Sequence, residues 1–271
     1  MRLLLVQVTT GTDPTQNRDR IRLAVESAVD GAGGPGACDL VVLPEAVQAD
    51  FGTGEPPPSA VAERADGAFA DLLGELAAHA RATVVGGLFE VAADCGSGLP
   101  YNTLLAVGPD GSRVGSYRKV HLYDAFGYRE SELLSPGEVA ACTVDVGGWT
   151  VGLMTCYDLR FPEQARALVD QGADLLLVPA AWVRGPAKEH HWATLLATRA
   201  IENTVYVAGA AKAGPRYCGL SRVIEPMGTV LAGIGETDGF VVADLDRQRV
   251  ERVREVNPAL ANRRWTVVPR A

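Results

Sequence analysis

The chain reads as an α/β protein built on two sheets with helices outside, and three observations lead there. Short apolar segments, many rich in β-branched residues, recur along the 271 residues with helix-period patterns between them. Two tight-turn signals, Pro109-Asp110-Gly111 and Glu225-Pro226-Met227-Gly228, join neighbouring segments directly, so antiparallel pairs are mixed in. A plain parallel sheet would need a crossover of about a dozen residues or more at every step, which such turns do not leave.

The elements follow in order. Residues 3–8 are the first strand, and Asp13-Pro14 opens a helix through about Val29, with Pro at its start and Ile21, Ala24, Val25 and Ala28 on one stripe. Residues 40–43 form a strand, 65–80 a second amphipathic helix, and 83–89 and 103–107 two more strands, with 113–119 pairing back across the Pro109 turn. Residues 51–59, with Gly52, Gly54 and Pro56-Pro57-Pro58, make a loop long enough to serve as a lid. Downstream, strands at 151–154, 175–178, 205–210 and 240–243 alternate with helices at 161–171 and 187–202. The first of these helices stops at Gly172, and the second carries Trp192, Leu195, Leu196 and Ala200 at helical spacing. Residues 246–271 hold a charged helical piece and then Trp265-Thr266-Val267-Val268, a packing or dimer-contact strand. No internal repeat is visible, and the length suits one domain over 1–271.

Composition narrows the function classes. Charged residues are 21% and the AVILMFWYC set 47%, a globular balance. A net charge of -8 with pI near 5.1 argues against a broad basic patch for nucleic acid or an acidic membrane. No apolar run approaches the roughly 18 residues that cross a bilayer, and the N-terminal run is too short for a signal peptide, so a cytoplasmic protein is expected. The five cysteines lack C-x-x-C spacing, and an odd number makes a poor disulfide framework. Cys38, Cys142 and Cys218 read as small buried hydrophobes, and Cys95 as a loop residue.

Three motifs fail their context. Gly31-Ala32-Gly33-Gly34-Pro35-Gly36 spells a dinucleotide fingerprint, but a helix precedes it and a strand follows, the reverse of what that site needs. His190 and His191 are adjacent on a helix and project about 100° apart, so they do not share a metal as an i, i+4 pair would. Ser221 has no G-x-S-x-G elbow and reads as a strand hydroxyl.

Reactive chemistry concentrates at three strand ends. Leu40-Val41-Val42-Leu43-Pro44-Glu45 ends an apolar run in a carboxylate, Tyr117-Arg118-Lys119 brings out an ammonium, and Gly152-Leu153-Met154-Thr155-Cys156 stops at a thiol. A thiol becomes a useful nucleophile when a neighbour takes its proton. Glu45 is the candidate base, with burial raising its pKa toward the useful range. Lys119 and the backbone N–H of Tyr157 are candidates to stabilise an oxyanion. The plain alternative is a Glu45–Lys119 salt bridge beside an inert core cysteine.

At these residues the chain resembles the nitrilase, or carbon–nitrogen hydrolase, superfamily. Leu43-Pro44-Glu45, Tyr117-Arg118-Lys119-Val120-His121-Leu122-Tyr123-Asp124 and Thr155-Cys156-Tyr157-Asp158-Leu159-Arg160-Phe161-Pro162-Glu163 are similar, in that order, to its glutamate, lysine and cysteine motifs. Glu130, within 130–137, looks like the second glutamate kept beside the lysine, and 197–203 also fits. The resemblance implies a four-layer α-β-β-α sandwich with two mixed sheets, a homodimer or higher homo-oligomer in which the sheets of two protomers continue into a larger sandwich, and neither cofactor nor metal. It further implies attack by Cys156 on a small-molecule amide, proton relay by Glu45 and release of ammonia and a carboxylic acid through a thioester.

Tyr157-Asp158 after the cysteine, where nitrilases carry Trp-Glu, resembles the amidase branches, and Cys-Tyr-Asp-x-Arg-Phe-Pro the group holding ω-amidase and deaminated-glutathione amidase. The segment between Asp124 and Glu130 is shorter than in many of that group, so a different pocket shape is expected. Candidate pocket residues are Tyr157, Tyr128, Ala181 and Trp182, with Arg129, Arg160 or Arg184 available to a substrate carboxylate. Carbamoyl hydrolysis and acyl transfer use the same intermediate type and stay open, as does a scaffold that has lost turnover.

Overall fold

The computed structural model describes residues 1–51, 56–91 and 98–269. In chain order the elements are β1 (Arg2–Gln7), α1 (Pro14–Gly31), β2 (Leu40–Val42), α2 (Pro58–Val61), α3 (Ala68–Ala80), β3 (Thr83–Glu90), β4 (Tyr101–Val107), β5 (Arg113–Arg118), β6 (Asp124–Ala125) and β7 (Tyr128–Arg129). They continue with β8 (Thr143–Val146), β9 (Trp149–Leu153), α4 (Pro162–Asp170), β10 (Leu175–Ala180), α5 (Lys188–Asn203), β11 (Tyr206–Ala211), β12 (Arg222–Ile224), β13 (Val230–Gly233), β14 (Gly239–Asp244) and α6 (Arg247–Val256). Short 3₁₀ turns span Glu130–Glu132 and Cys156–Arg160.

Two six-stranded sheets form, in the orders β14-β1-β2-β3-β4-β5 and β13-β12-β11-β10-β9-β8. The alternation of each strand decides the layering. Leu3 and Leu5 face inward with Leu40 and Val42 and meet Val151, Leu175, Leu177 and Ala208 of the other sheet. Leu4, Val6 and Val41 face outward onto Ile21 and Val25 of α1 and Leu72 and Leu76 of α3. Leu176, Val178 and Val207 do the same against Leu168 of α4 and Trp192 and Leu196 of α5. The result is the expected four layers, helix–sheet–sheet–helix.

In each sheet three neighbouring strands run parallel, β1-β2-β3 in one and β9-β10-β11 in the other, flanked by antiparallel neighbours. The two sheets thus repeat one pairing pattern although the sequence shows no repeat. Because β4 reverses β3 and β5 reverses β4, the C-terminal end of β5 lies at the same edge as the ends of the parallel strands. Ligand sites in such sheets form at the carboxyl ends of strands.

Several expectations need correction. Residues 265–268 form no strand, and Trp265 is 87% exposed. The proposed lid falls partly on 52–55, outside the described residues; Phe51 is buried and Pro58 begins α2. Cys95 also lies outside the described residues. Cys38 and Cys218 are buried as expected, whereas Cys142 is only partly so, its thiol 3.3 Å from the Ser116 carbonyl. Ser221 is a buried structural hydroxyl, donating to Gln7 Oε1 at 2.8 Å and accepting from the Ala211 amide at 2.9 Å.

Candidate active site

Each strand end named above delivers its side chain to the same edge of the sandwich. Glu45 lies three residues past β2, Cys156 three past β9, and Lys119 and Ala181 directly follow β5 and β10. The short β6–β7 hairpin then returns the chain so that Glu130 opens a 3₁₀ turn beside them. Glu45, Lys119 and Glu130 would be costly to bury singly, so they pair.

Lys119 Nζ donates to Glu45 Oε1 at 2.9 Å and to Glu130 Oε2 at 2.9 Å. Asn102 Nδ2, from β4, donates to Glu45 Oε1 at 2.8 Å and reaches Glu130 Oε1 at 3.4 Å. The other Glu45 oxygen accepts the Ala181 amide at 2.7 Å, and Glu130 accepts the Tyr123 amide at 2.6 Å. Lys119 Nζ also lies 3.1 Å from Glu130 Oε1, so both oxygens of that carboxylate hold the ammonium at the cavity edge.

Electrostatics distinguishes the two acids. Burial works against the Glu45 carboxylate, but Lys119 and the Ala181 amide outweigh it and hold its pKa below the usual range. The expectation that burial would raise it is therefore wrong, because the strand end is apolar in sequence but not in space. Burial prevails at Glu130 and pushes its carboxyl up. Lys119 also loses solvation, yet Glu130 and Glu45 keep its ammonium protonated well above its ordinary range. The Cys156 thiol is pushed well up by burial and by the Glu45 charge. The resting pair is thus thiol and carboxylate.

The backbone at both ends is strained. Cys156 has φ 47° and Ala46, next to Glu45, has φ 42°, a region that non-glycine residues seldom occupy. Asp158 holds the cysteine turn in place: its buried carboxylate accepts the Thr155 amide at 2.8 Å, the Tyr117 hydroxyl at 2.6 Å and the His121 amide at 3.1 Å. Tyr117 and His121 flank Lys119, so one acid couples the cysteine turn to the lysine strand.

These groups open onto a cavity of about 560 Å³ whose lining includes Glu45, Lys119, Glu130, Cys156, Tyr157 and Tyr128. Ala181 and Trp182 line it too. The three candidate arginines separate. Arg129 is exposed and pairs with Glu132 at 3.4 Å, off the cavity. Arg184 lines the cavity, but its guanidinium is engaged by Glu236 at 2.9 Å and the Tyr217 carbonyl at 2.7 Å. Arg160 stands over the Trp182 ring at 4.9 Å from its centroid, with its buried Nε lacking an acceptor among the described residues.

Asn102, Phe126, Lys188 and Arg216 were not anticipated. Asn102 is an amide inside an apolar strand, a signal that was readable. Lys188 begins α5, where the helix dipole disfavours a cation, which also marks it. Its Nζ donates to the Tyr123 hydroxyl at 2.7 Å and sits 4.0 Å from the Phe126 ring centroid, and burial and the Arg160 charge lower its pKa.

A family model described as carbon-nitrogen hydrolase matches residues 2–255. The chain is 41% identical over 226 residues to the deaminated glutathione amidase of Escherichia coli O157:H7, covering 83% of this chain and 85% of that one. It is 33% identical over 276 residues to omega-amidase NIT2 of Homo sapiens, covering 97% and 95%. The crystal structure of Saccharomyces cerevisiae Nit3, a member of branch 10 of the nitrilase superfamily, matches with a TM-score of 0.86 at 30% identity, over 98% of this chain and 97% of that chain.

Proposed function

This chain belongs to the carbon–nitrogen hydrolase family, and we propose that it is a cysteine-dependent amidase that hydrolyses a small linear carboxamide with an anionic far end. The observation that carries the reading is the convergence of Glu45, Lys119 and Cys156 in one cavity, with a thiol facing a carboxylate that is held ionised.

In this reading Cys156 Sγ attacks the amide carbonyl carbon as its proton passes to Glu45. The Lys119 ammonium and the Tyr157 amide receive the oxyanion. Glu45 then gives the proton to the nitrogen, the C–N bond breaks, ammonia leaves and a thioester stays on Cys156. Water attacks the thioester carbonyl and gives a proton to Glu45, and the released sulfur takes that proton back with the acid as product. Glu130 and Asn102 would orient Lys119 and Glu45 rather than react.

The far wall supports this substrate class. Arg160 and Lys188 share the aromatic surface of Phe126 and Trp182, and neither has a carboxylate ion-pair partner among the described residues. Two cations kept side by side in a half-dry wall favour an anion between them, and Arg offers a planar fork for a carboxylate. The names of two relatives, deaminated glutathione amidase and omega-amidase, agree with an amide of an acidic molecule.

The test is ammonia release from ω-amides of dicarboxylic acids against uncharged amides of equal length, with labelled water to follow the acid product. Cys156→Ala should abolish release, and Lys188→Met should raise KM for the acidic amides about tenfold or more while sparing uncharged ones. Equal turnover of both sets would remove the anionic-tail assignment. No release of ammonia from any amide by folded protein would remove the amidase reading itself.

A further inference from the structure

A second fully buried lysine touches the Glu45 loop from outside the cavity. Lys212 follows β11, is 0% exposed, and donates from Nζ to the Ala46 carbonyl at 3.0 Å. The same carbonyl accepts the Ala49 amide at 3.2 Å, so it anchors the left-handed turn at Ala46 that sets the direction of Glu45. The Tyr217 ring faces Nζ at 5.5 Å from its centroid, and its hydroxyl is bonded to Asp50. The charged and titratable groups facing Lys212 are therefore Asp50 and Glu45 from the β2 side and Tyr217 from the loop after β11.

Packing alone would be met by a methionine or leucine at this position, without the desolvation of an ammonium. What a lysine adds is charge. Its ammonium faces the Asp50 and Glu45 carboxylates and takes no space in the cavity.

We propose that Lys212 is a positioning residue for Glu45, its ammonium fixing the Ala46 carbonyl and hence the aim of the carboxylate. The inference rests on Glu45 acting as the base of the proposed reaction. It gives the site an alkaline limit. Burial lowers the Lys212 pKa to about 8, while Cys156, Lys119 and Tyr217 are all pushed upward. Lys212 is thus the group of this cluster that loses a proton just above neutrality.

The experiment records kcat and KM between about pH 6 and about pH 10 for the wild type, Lys212→Met and Asp50→Asn. It also records the rate of Cys156 alkylation by iodoacetamide, which needs no turnover. We expect wild-type kcat and alkylation to fall above about pH 8, and Lys212→Met to lower kcat about tenfold near neutrality with KM within about twofold and no such limb. Asp50→Asn removes a charge that supports the ammonium and should move the limb to lower pH, which keeps the test available if Lys212→Met does not fold. A wild-type profile flat to about pH 9.5, an unshifted limb in Asp50→Asn, or the same limb in Lys212→Met would overturn the proposal. If no amide is turned over, the alkylation profiles decide it separately from the amidase reading.

Discussion

Glu45 and Cys156 influence each other in opposite senses, and a single substitution separates the two effects. The Glu45 charge raises the thiol pKa, so Glu45→Gln would speed alkylation of Cys156 if that were its whole role. If Glu45 takes the proton during attack, the same change slows alkylation about tenfold or more near neutral pH. We expect the slower rate, measured by mass spectrometry of the adduct. Lys119 carries the complementary prediction. Lys119→Met leaves two buried carboxylates without their ammonium, and should destabilise the fold by about 3–5 kcal/mol near neutrality. The sign with pH is fixed by that loss: Glu45 is held low chiefly against burial by Lys119, so in the variant its folded pKa rises above the unfolded one. The destabilisation is then fully present above the new folded pKa and is relieved as both acids protonate. Urea melts at about pH 7 and about pH 4.5 should show the gap closing. A gap that stayed constant would mean the carboxylates are not unpaired.

Among the elements, the 3₁₀ turn at Cys156–Arg160 depends on one side chain more than on its own propensity. Asp158 ties the Thr155 amide, the Tyr117 hydroxyl and His121 together. Asp158→Ala should lower stability by about 3 kcal/mol, read as a shifted urea midpoint with unchanged slope. Activity should fall further than stability at permissive denaturant, because the turn that aims Cys156 loosens first. Strands and helices were legible because their apolar periods are long: 40–43, 83–89 and 175–178 each appear within two residues of the observed bounds. The β6–β7 hairpin was not, since two-residue strands carry no period, and it supplies Phe126 and Tyr128 to the cavity. Of that wall the sequence reading named Tyr128 but not Phe126.

For the whole molecule, the spacing between the sheets sets the site, because Glu45 and Lys119 come from one sheet and Cys156 from the other. Gly115 on β5 sits where a Cβ would overlap Val144 Cγ1 on β8. Val is stiff at χ1, so it yields little. Gly115→Ala should therefore wedge the sheets apart, costing about 1–3 kcal/mol, and should lower kcat by shifting Lys119 four residues along. Unchanged kcat with reduced stability would show that the strain stays local.

The two-sheet α/β class and the strand ends that carry Glu45, Lys119 and Cys156 were legible in the chain alone, because apolar periods and their abrupt ends are local, whereas Glu130 was named only through the family resemblance. Only the tertiary structure decided the charge states and the supporting cast. Whether Glu45 is held above or below its ordinary pKa depends on Lys119, 74 residues away, and Lys212 meets the Ala46 carbonyl across 166. Burial and pairing are sums over neighbours from several strands, and a linear reading does not contain those sums.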